Sequence, residues 1–168
     1  VTVSFLFLGI LHGIIKNSPD INDVSIVPSS YSTTVYDINN KQIAKLITSG
    51  SNRIKVSLDQ VPVHLRWAFI DTEDARFYEH NGIDIQGIGR AALIAVTTMH
   101  ATEGASTLTQ QLIKNNVFPN FTKEKTFYDK FQRKIQEQYL ALQLEASLTA
   151  EGMDTKSVIL ENYLNTIN

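Results

Sequence analysis

The chain contains no cysteine, and that single absence removes disulfides, thiolate metal ligands and cysteine nucleophiles together. It also lacks an excess of either charge: 15 Lys and Arg stand against 17 Asp and Glu, a formal net charge of −2. Without a global basic field no nucleic-acid partner is expected, and an anionic substrate needs cations clustered locally. No internal repeat of fixed period is present. The four histidines, His12, His64, His80 and His100, are scattered, so no zinc-ligand spacing is visible. Charge is missing altogether from Val1 to Ile15, where Thr2, Ser4 and His12 are the polar interruptions. That run reads as membrane-seeking. A spanning helix wants ~20 apolar residues, so a clipped anchor, a signal-peptide core and a buried core helix all fit it. Because the chain starts with Val1 and its last residues show no stop signal, both ends are expected to continue in a longer protein.

What is present suffices for one domain with a hydrophobic core, since domains run to ~100–200 residues. Residues 17–32 are rich in Ser, Pro, Asn and Asp and read as a linker. Thr33 to Asp37 and Gln42 to Ile47, joined through Asn39-Asn40, predict a β-hairpin. Ser49 to Asn52 predicts a turn, and Arg53 to Val56 a third short strand. Beyond Ser57 the spacing becomes helical. Pro62 opens a first helix that leads to an acidic cluster, and Asn81-Gly82 ends that region. Further helices are predicted over Ile85–Met99, from a Ser106 cap to about Asn116, over Lys125–Ser147, and from Thr155 onward.

Two segments carry chemistry. Glu73-Asp74-Ala75-Arg76-Phe77-Tyr78-Glu79-His80-Asn81-Gly82 sets carboxylates beside aromatics at a turn. At the edge of an apolar stripe, Glu73 is expected to be desolvated and raised towards the range of a general base. His80 is read as a hydrogen-bonded packing residue. The second segment runs from Gly104 to Asn115. On a helix its Thr107, Gln110, Gln111 and Lys114 share one arc, and a polar face next to backbone N–H groups at a helix start suits a diphosphate. Further on, Glu137 has Arg133 and Lys134 one turn before it, and cations there keep a carboxylate ionised. Gly87-Ile88-Gly89-Arg90-Ala91-Ala92 fits the loose dinucleotide fingerprint, but no βαβ alternation surrounds it, and helix packing accounts for those glycines better.

Glu-Asp-x-x-Phe-x-x-His-x-Gly, Ser-Thr-Leu-Thr-Gln-Gln-Leu-x-Lys-Asn, Arg-Lys-x-x-Glu-x-x-x-Ala-x-x-Leu-Glu from Arg133 to Glu145, and Lys156-Ser-Val-Ile-Leu-Glu-Asn-Tyr-Leu-Asn165 follow one another in this order. Together they resemble the motifs of the peptidoglycan glycosyltransferases, glycosyltransferase family 51, found in class A penicillin-binding proteins and monofunctional transglycosylases. The resemblance implies a mainly α, lysozyme-like fold with a small N-terminal β-hairpin. It implies three segments: 1–16 as the remnant of a membrane anchor, 17–56 as linker and small β element, and 57–168 as a glycosyltransferase body truncated at its C-terminal end.

By that resemblance Glu73 is the catalytic base and Glu137 orients the cations, or a metal ion, around the leaving diphosphate. Ser106, Thr107, Gln110, Gln111, Lys114, Asn115, Arg133, Lys134 and Asn165 belong to the donor site, and Asp74, Phe77, His80 and Gly82 frame the first motif. No cofactor is required, with a divalent Mg or Mn ion near Glu137 as an optional addition. The implied substrates are lipid II and the nascent glycan strand. The implied setting is the outer face of the cytoplasmic membrane, with a downstream transpeptidase domain and other cell-wall synthesis proteins as partners. One departure stands out: an Arg common four residues before Arg133 is Asp129 here, and Lys130 is the candidate substitute for its charge. No Ser-x-x-Lys of the transpeptidase type occurs. A lysozyme-like hydrolase and a non-catalytic cell-wall binding module are the alternatives.

Overall fold

The computed structural model describes residues 2–27, 31–46, 53–99 and 104–167. Among them are six α-helices and one two-stranded sheet, in the order α1 (Thr2–Lys16), β1 (Thr33–Tyr36), β2 (Gln42–Leu46), α2 (Val63–Glu73), α3 (Ile85–Thr98), α4 (Leu108–Val117), α5 (Phe127–Ala150) and α6 (Thr155–Thr166). This is the expected mainly α, lysozyme-like class with a small hairpin. The hairpin pairs antiparallel with Val35 opposite Ala44, and its register shifts between Val35 and Tyr36. Its loop is pinned by Asp37, whose Oδ1 accepts from the backbone of Asn39 and Lys41 at 2.9 and 2.8 Å, and Asn40 takes a φ of 61°. Asn tolerates that left-handed backbone better than most residues.

The third predicted strand does not form. Arg53 O accepts from Ser32 N and Oγ, while Val56 is clipped at both ends by one side chain: Asn165 Oδ1 accepts from Val56 N at 2.9 Å and Nδ2 donates to Val56 O at 2.8 Å. A side-chain amide thus stands in for a neighbouring strand, so no ladder is needed. The predicted turn at Ser49–Asn52 lies outside the described residues.

The core is built around α4, a ten-residue helix held between α5 and α6. Leu108, Leu112 and Ile113 of α4 meet Leu140, Leu144 and Leu148 of α5, Ile159, Leu160 and Tyr163 of α6, and Ile70 and Phe77. At ~1.5–3 kcal/mol for each large apolar side chain buried, this cluster outweighs the low intrinsic propensity of a helix so short. The helix starts at Thr107, not at Ser106 as predicted. Thr107 Oγ1 accepts from Gln110 N and donates to Gly82 O at 2.7 Å, so the cap also docks the first motif.

Helix α1 lies against α5, where Gln136 Nε2 donates to Ile14 O and Asn17 O. Among its described side chains only Ile14 is buried, and Phe5, Leu6, Leu8 and Ile10 are exposed, which contradicts the buried-core reading of this run. No helix among the described residues is long and apolar enough to cross a membrane.

Gly82 has a φ of 86°, and a Cβ there would lie 2.7 Å from Ala141 O of α5. Both the backbone conformation and the close approach demand glycine. Gly82→Ala is expected to cost at least ~1–2 kcal/mol, seen as a lower urea midpoint. The helix-packing account of the two α3 glycines holds for neither: a Cβ on Gly87 would meet the Asp84 carboxylate that caps α3, and Gly89 faces open space.

Candidate active site

Asp74 is buried directly after α2, and its carboxylate is consumed within the fold. Its Oδ2 accepts from Leu108 N at 2.9 Å, and His80 Nε2 lies 2.9 and 3.1 Å from its two oxygens. A carboxylate facing Nε2 needs the proton on that nitrogen, so His80 is a packing residue in geometry as well as in sequence. Phe77 is fully buried beside it. This arrangement corrects one expectation. The start of α4 is not an open cradle of N–H groups for a diphosphate, because Asp74 already caps Leu108 N and Thr107 already caps Gln110 N.

Glu73, the last residue of α2, is exposed, so the desolvation expected of it is not supplied by the chain. Its Oε2 accepts from Gln111 Nε2 at 2.9 Å. Gln111 Oε1 in turn lies 3.3 Å from the Tyr163 hydroxyl of α6. Burial, then the nearby Glu73 charge, pushes the Tyr163 phenol up to about 12. Both ends of the Gln111 amide are therefore occupied.

Gln110 is turned inward, 1% exposed, with Nε2 on Gly82 O, and Thr107 is equally buried. Gln110 thus faces the core, against the expectation for the donor site, while Thr107 reaches the wall of the space beside Glu73 with its hydroxyl already bonded to Gly82 O and Gln110 N. The helical wheel groups these side chains correctly but does not say that α4 is covered on two sides. Asn165 is also spent, on Val56 and on Glu161 O, away from a donor-site role. Asn115 is half-buried on α4.

A cleft of about 120 Å³ opens beside Glu73, lined also by Arg76, Arg90, Gly104 and Ser106. Ser106 connects it to the third motif, because Lys134 Nζ donates to Ser106 Oγ at 2.6 Å and to Glu137 Oε2 at 3.1 Å. The Lys134 side chain keeps 37% exposure while Glu137 keeps 1%. Arg133 binds the other oxygen of Glu137 and reaches Glu124 at 2.7 Å. Burial works against the Arg133 charge, but the two carboxylates overcome it and raise its pKa above the ordinary guanidinium value. Lys114 Nζ and Arg133 share the ring of Phe121, at 5.0 and 5.8 Å from its centroid. Lys114 stands three residues after Gln111 on α4, so these side chains are neighbours on the helix surface. Base candidate and cations thus occupy one flank.

Glu137 holds two cations with its two oxygens, which does not fit a divalent ion bound there as well. Among the described residues no three His, Asp or Glu side chains gather around a common point. Asp129, where the Arg is absent, has a structural use: with Thr126 it forms the capping box of α5. Lys130 beside it is exposed.

Sequence reasoning missed three groups. Arg76 pairs with Asp84. Burial acts to raise the Asp84 carboxyl, but Arg76 and the Gly87 N–H hold it below the usual range. Arg90 lines the cleft. Lys156 joins four segments: it donates to Glu145 at 2.8 and 3.0 Å and to His80 O at 2.6 Å, and lies over the Phe77 ring, while Glu145 accepts from Thr109 Oγ1 at 2.7 Å. Motif membership was the only signal for it.

A family profile described as Transglycosylase matches residues 39–168. Penicillin-binding protein 1A of Clostridium novyi is 44% identical over 95% of this chain. Penicillin-binding protein 1A/1B of Bacillus subtilis is 39% identical over 99%, and penicillin-binding protein 1A of Escherichia coli 42% identical over 89%. The chain spans 18%, 17% and 16% of the length of these relatives, respectively. The match covers every motif described above, and the chain belongs to the transglycosylase family.

Proposed function

We propose that the chain is the glycosyltransferase portion of a peptidoglycan polymerase acting on lipid II, a disaccharide-pentapeptide carried on undecaprenyl diphosphate. The observation that carries this is the meeting of Glu73 and Ser106 in one cleft, with Lys134 bonded to Ser106. A carboxylate then lines the cleft, and an ammonium reaches its wall through the Ser106 hydroxyl.

The acceptor's N-acetylglucosamine 4-hydroxyl attacks the anomeric carbon of the donor's N-acetylmuramic acid, and Glu73 takes the hydroxyl proton. The C–O bond to the diphosphate breaks with inversion, a β(1→4) bond forms, and undecaprenyl diphosphate leaves with the electron pair. Diphosphate is a good leaving group, so charge stabilisation matters more than protonation. A cation ~4 Å from a phosphate oxygen is worth ~4 kcal/mol at an effective dielectric of ~20, and Lys114, Arg133 and Lys134 are the residues for that task. Glu137 holds Arg133 and Lys134 in place.

The substrate's lipid puts the reaction at a membrane surface, proposed to be the outer face of the cytoplasmic membrane, with residues 1–16 as part of an anchor, 17–56 as linker and β element, and 57–168 as the catalytic body. The relatives are named penicillin-binding proteins, which supports a penicillin-reactive transpeptidase domain elsewhere in the full protein; other cell-wall synthesis proteins are proposed as further partners. The test is the intact protein in detergent with fluorescent lipid II, products separated by gel. Glycan ladders that vanish with a moenomycin-type phosphoglycolipid are expected. New reducing ends released from finished glycan would identify a hydrolase instead, and no turnover of either substrate a binding module.

A further inference from the structure

We propose that Tyr163 is a positioning residue for the base, acting through Gln111: its hydroxyl holds the Gln111 amide so that Nε2, and not Oε1, meets Glu73. The inference rests on the reading of Glu73 as the base of a lipid II polymerase.

A glutamine amide has nearly the same shape in its two orientations, but its ends have opposite chemistry. Oε1 turned towards Glu73 would set lone pairs against a carboxylate, whereas Nε2 gives the charge-assisted bond found at 2.9 Å. Glu73 is exposed and ends its helix, so little else restrains it. The restraint comes from α6. Tyr163 is 3% exposed, its ring is set edge-on to Phe69 at 6.2 Å, and its hydroxyl lies 3.3 Å from Gln111 Oε1. With its pKa pushed up to about 12 by burial and by the Glu73 charge, the phenol stays protonated and remains a donor through the neutral range. The base at the end of α2 is thereby referenced, through α4, to the rigid core contact between α4 and α6. A base must lie within hydrogen-bond reach of the proton it removes, so an unanchored Glu73 loses rate more than affinity.

The experiment compares wild type, Tyr163→Phe, Gln111→Ala and the double variant, as intact proteins, by kcat and KM for lipid II turnover. Tyr163→Phe is expected to lower kcat about tenfold with KM nearly unchanged. Gln111→Ala should reproduce this split, and adding Tyr163→Phe to it should change nothing further. Normal kcat in either single variant, or a loss carried by KM instead, would overturn the relay. So would a Tyr163→Phe loss that persists undiminished in the Gln111→Ala background, which would place Tyr163 elsewhere in the reaction. If Tyr163→Phe lowers the melting temperature, Gln111→Ala, which leaves the core ring in place, still decides. Absence of turnover in the wild type would instead overturn the polymerase reading, and the relay with it.

Discussion

Glu73→Gln is expected to reduce lipid II polymerisation by at least ~10²–10⁴-fold, the range that a positioned general base contributes, while binding of lipid II stays within a few-fold of wild type. The substitution keeps the size and shape of the side chain and removes only its basicity. The fold should not notice it, since Glu73 is exposed and makes one hydrogen bond to Gln111, and exposed substitutions usually stay within ~0.5 kcal/mol. Single-turnover rates with pre-bound lipid II separate the two effects. A variant with near-normal turnover would remove Glu73 from the role of base and leave the cationic flank without an acid–base partner.

The largest effect on stability is expected from Lys156→Ala. Glu145 is 3% exposed and depends on Lys156 for two of its hydrogen bonds, with Thr109 supplying a neutral third. Removing one partner of a buried ion pair costs ~3–5 kcal/mol, because the remaining charge is left in a medium that cannot solvate it. Against a total stability of ~5–15 kcal/mol for a typical domain, that loss should be plain in urea denaturation. The double variant Lys156→Met with Glu145→Gln is expected to recover much of it, since no uncompensated charge then remains. A loss below ~1 kcal/mol in Lys156→Ala would show that the pair does not hold the four segments together. Gly82→Ala should add to Lys156→Ala less than independently, because His80 O and Gly82 O both fasten the first motif to α4 and α6.

Much of the architecture was legible because local rules and tertiary packing agree. The hairpin follows from β-branched residues around Asn39-Asn40, and helices α2 to α6 fall within a few residues of their predicted spans. Where packing added a partner from afar, local rules failed. Residues 53–56 have strand composition, but the ladder is replaced by the amide of Asn165, more than a hundred positions away. Asp129 read as a missing cation and proves to be a helix cap.

What the residues determined by themselves was the set of reactive groups: one candidate base at 73, cations at 114, 133 and 134, and the family to which their order belongs. Chemistry of this kind is carried by residue type and spacing, which a linear string records. Which polar groups remain available was decided by the tertiary structure alone. A helical wheel gives the angle between side chains but not the direction of the core, and α4 is covered from both sides. The polar groups of Asp74, Thr107 and Gln110 are therefore consumed inside, Gln111 is locked between Glu73 and Tyr163, and the exposed carboxylate of Glu73 is left at the cleft, with the ammonium of Lys134 behind Ser106 in its wall.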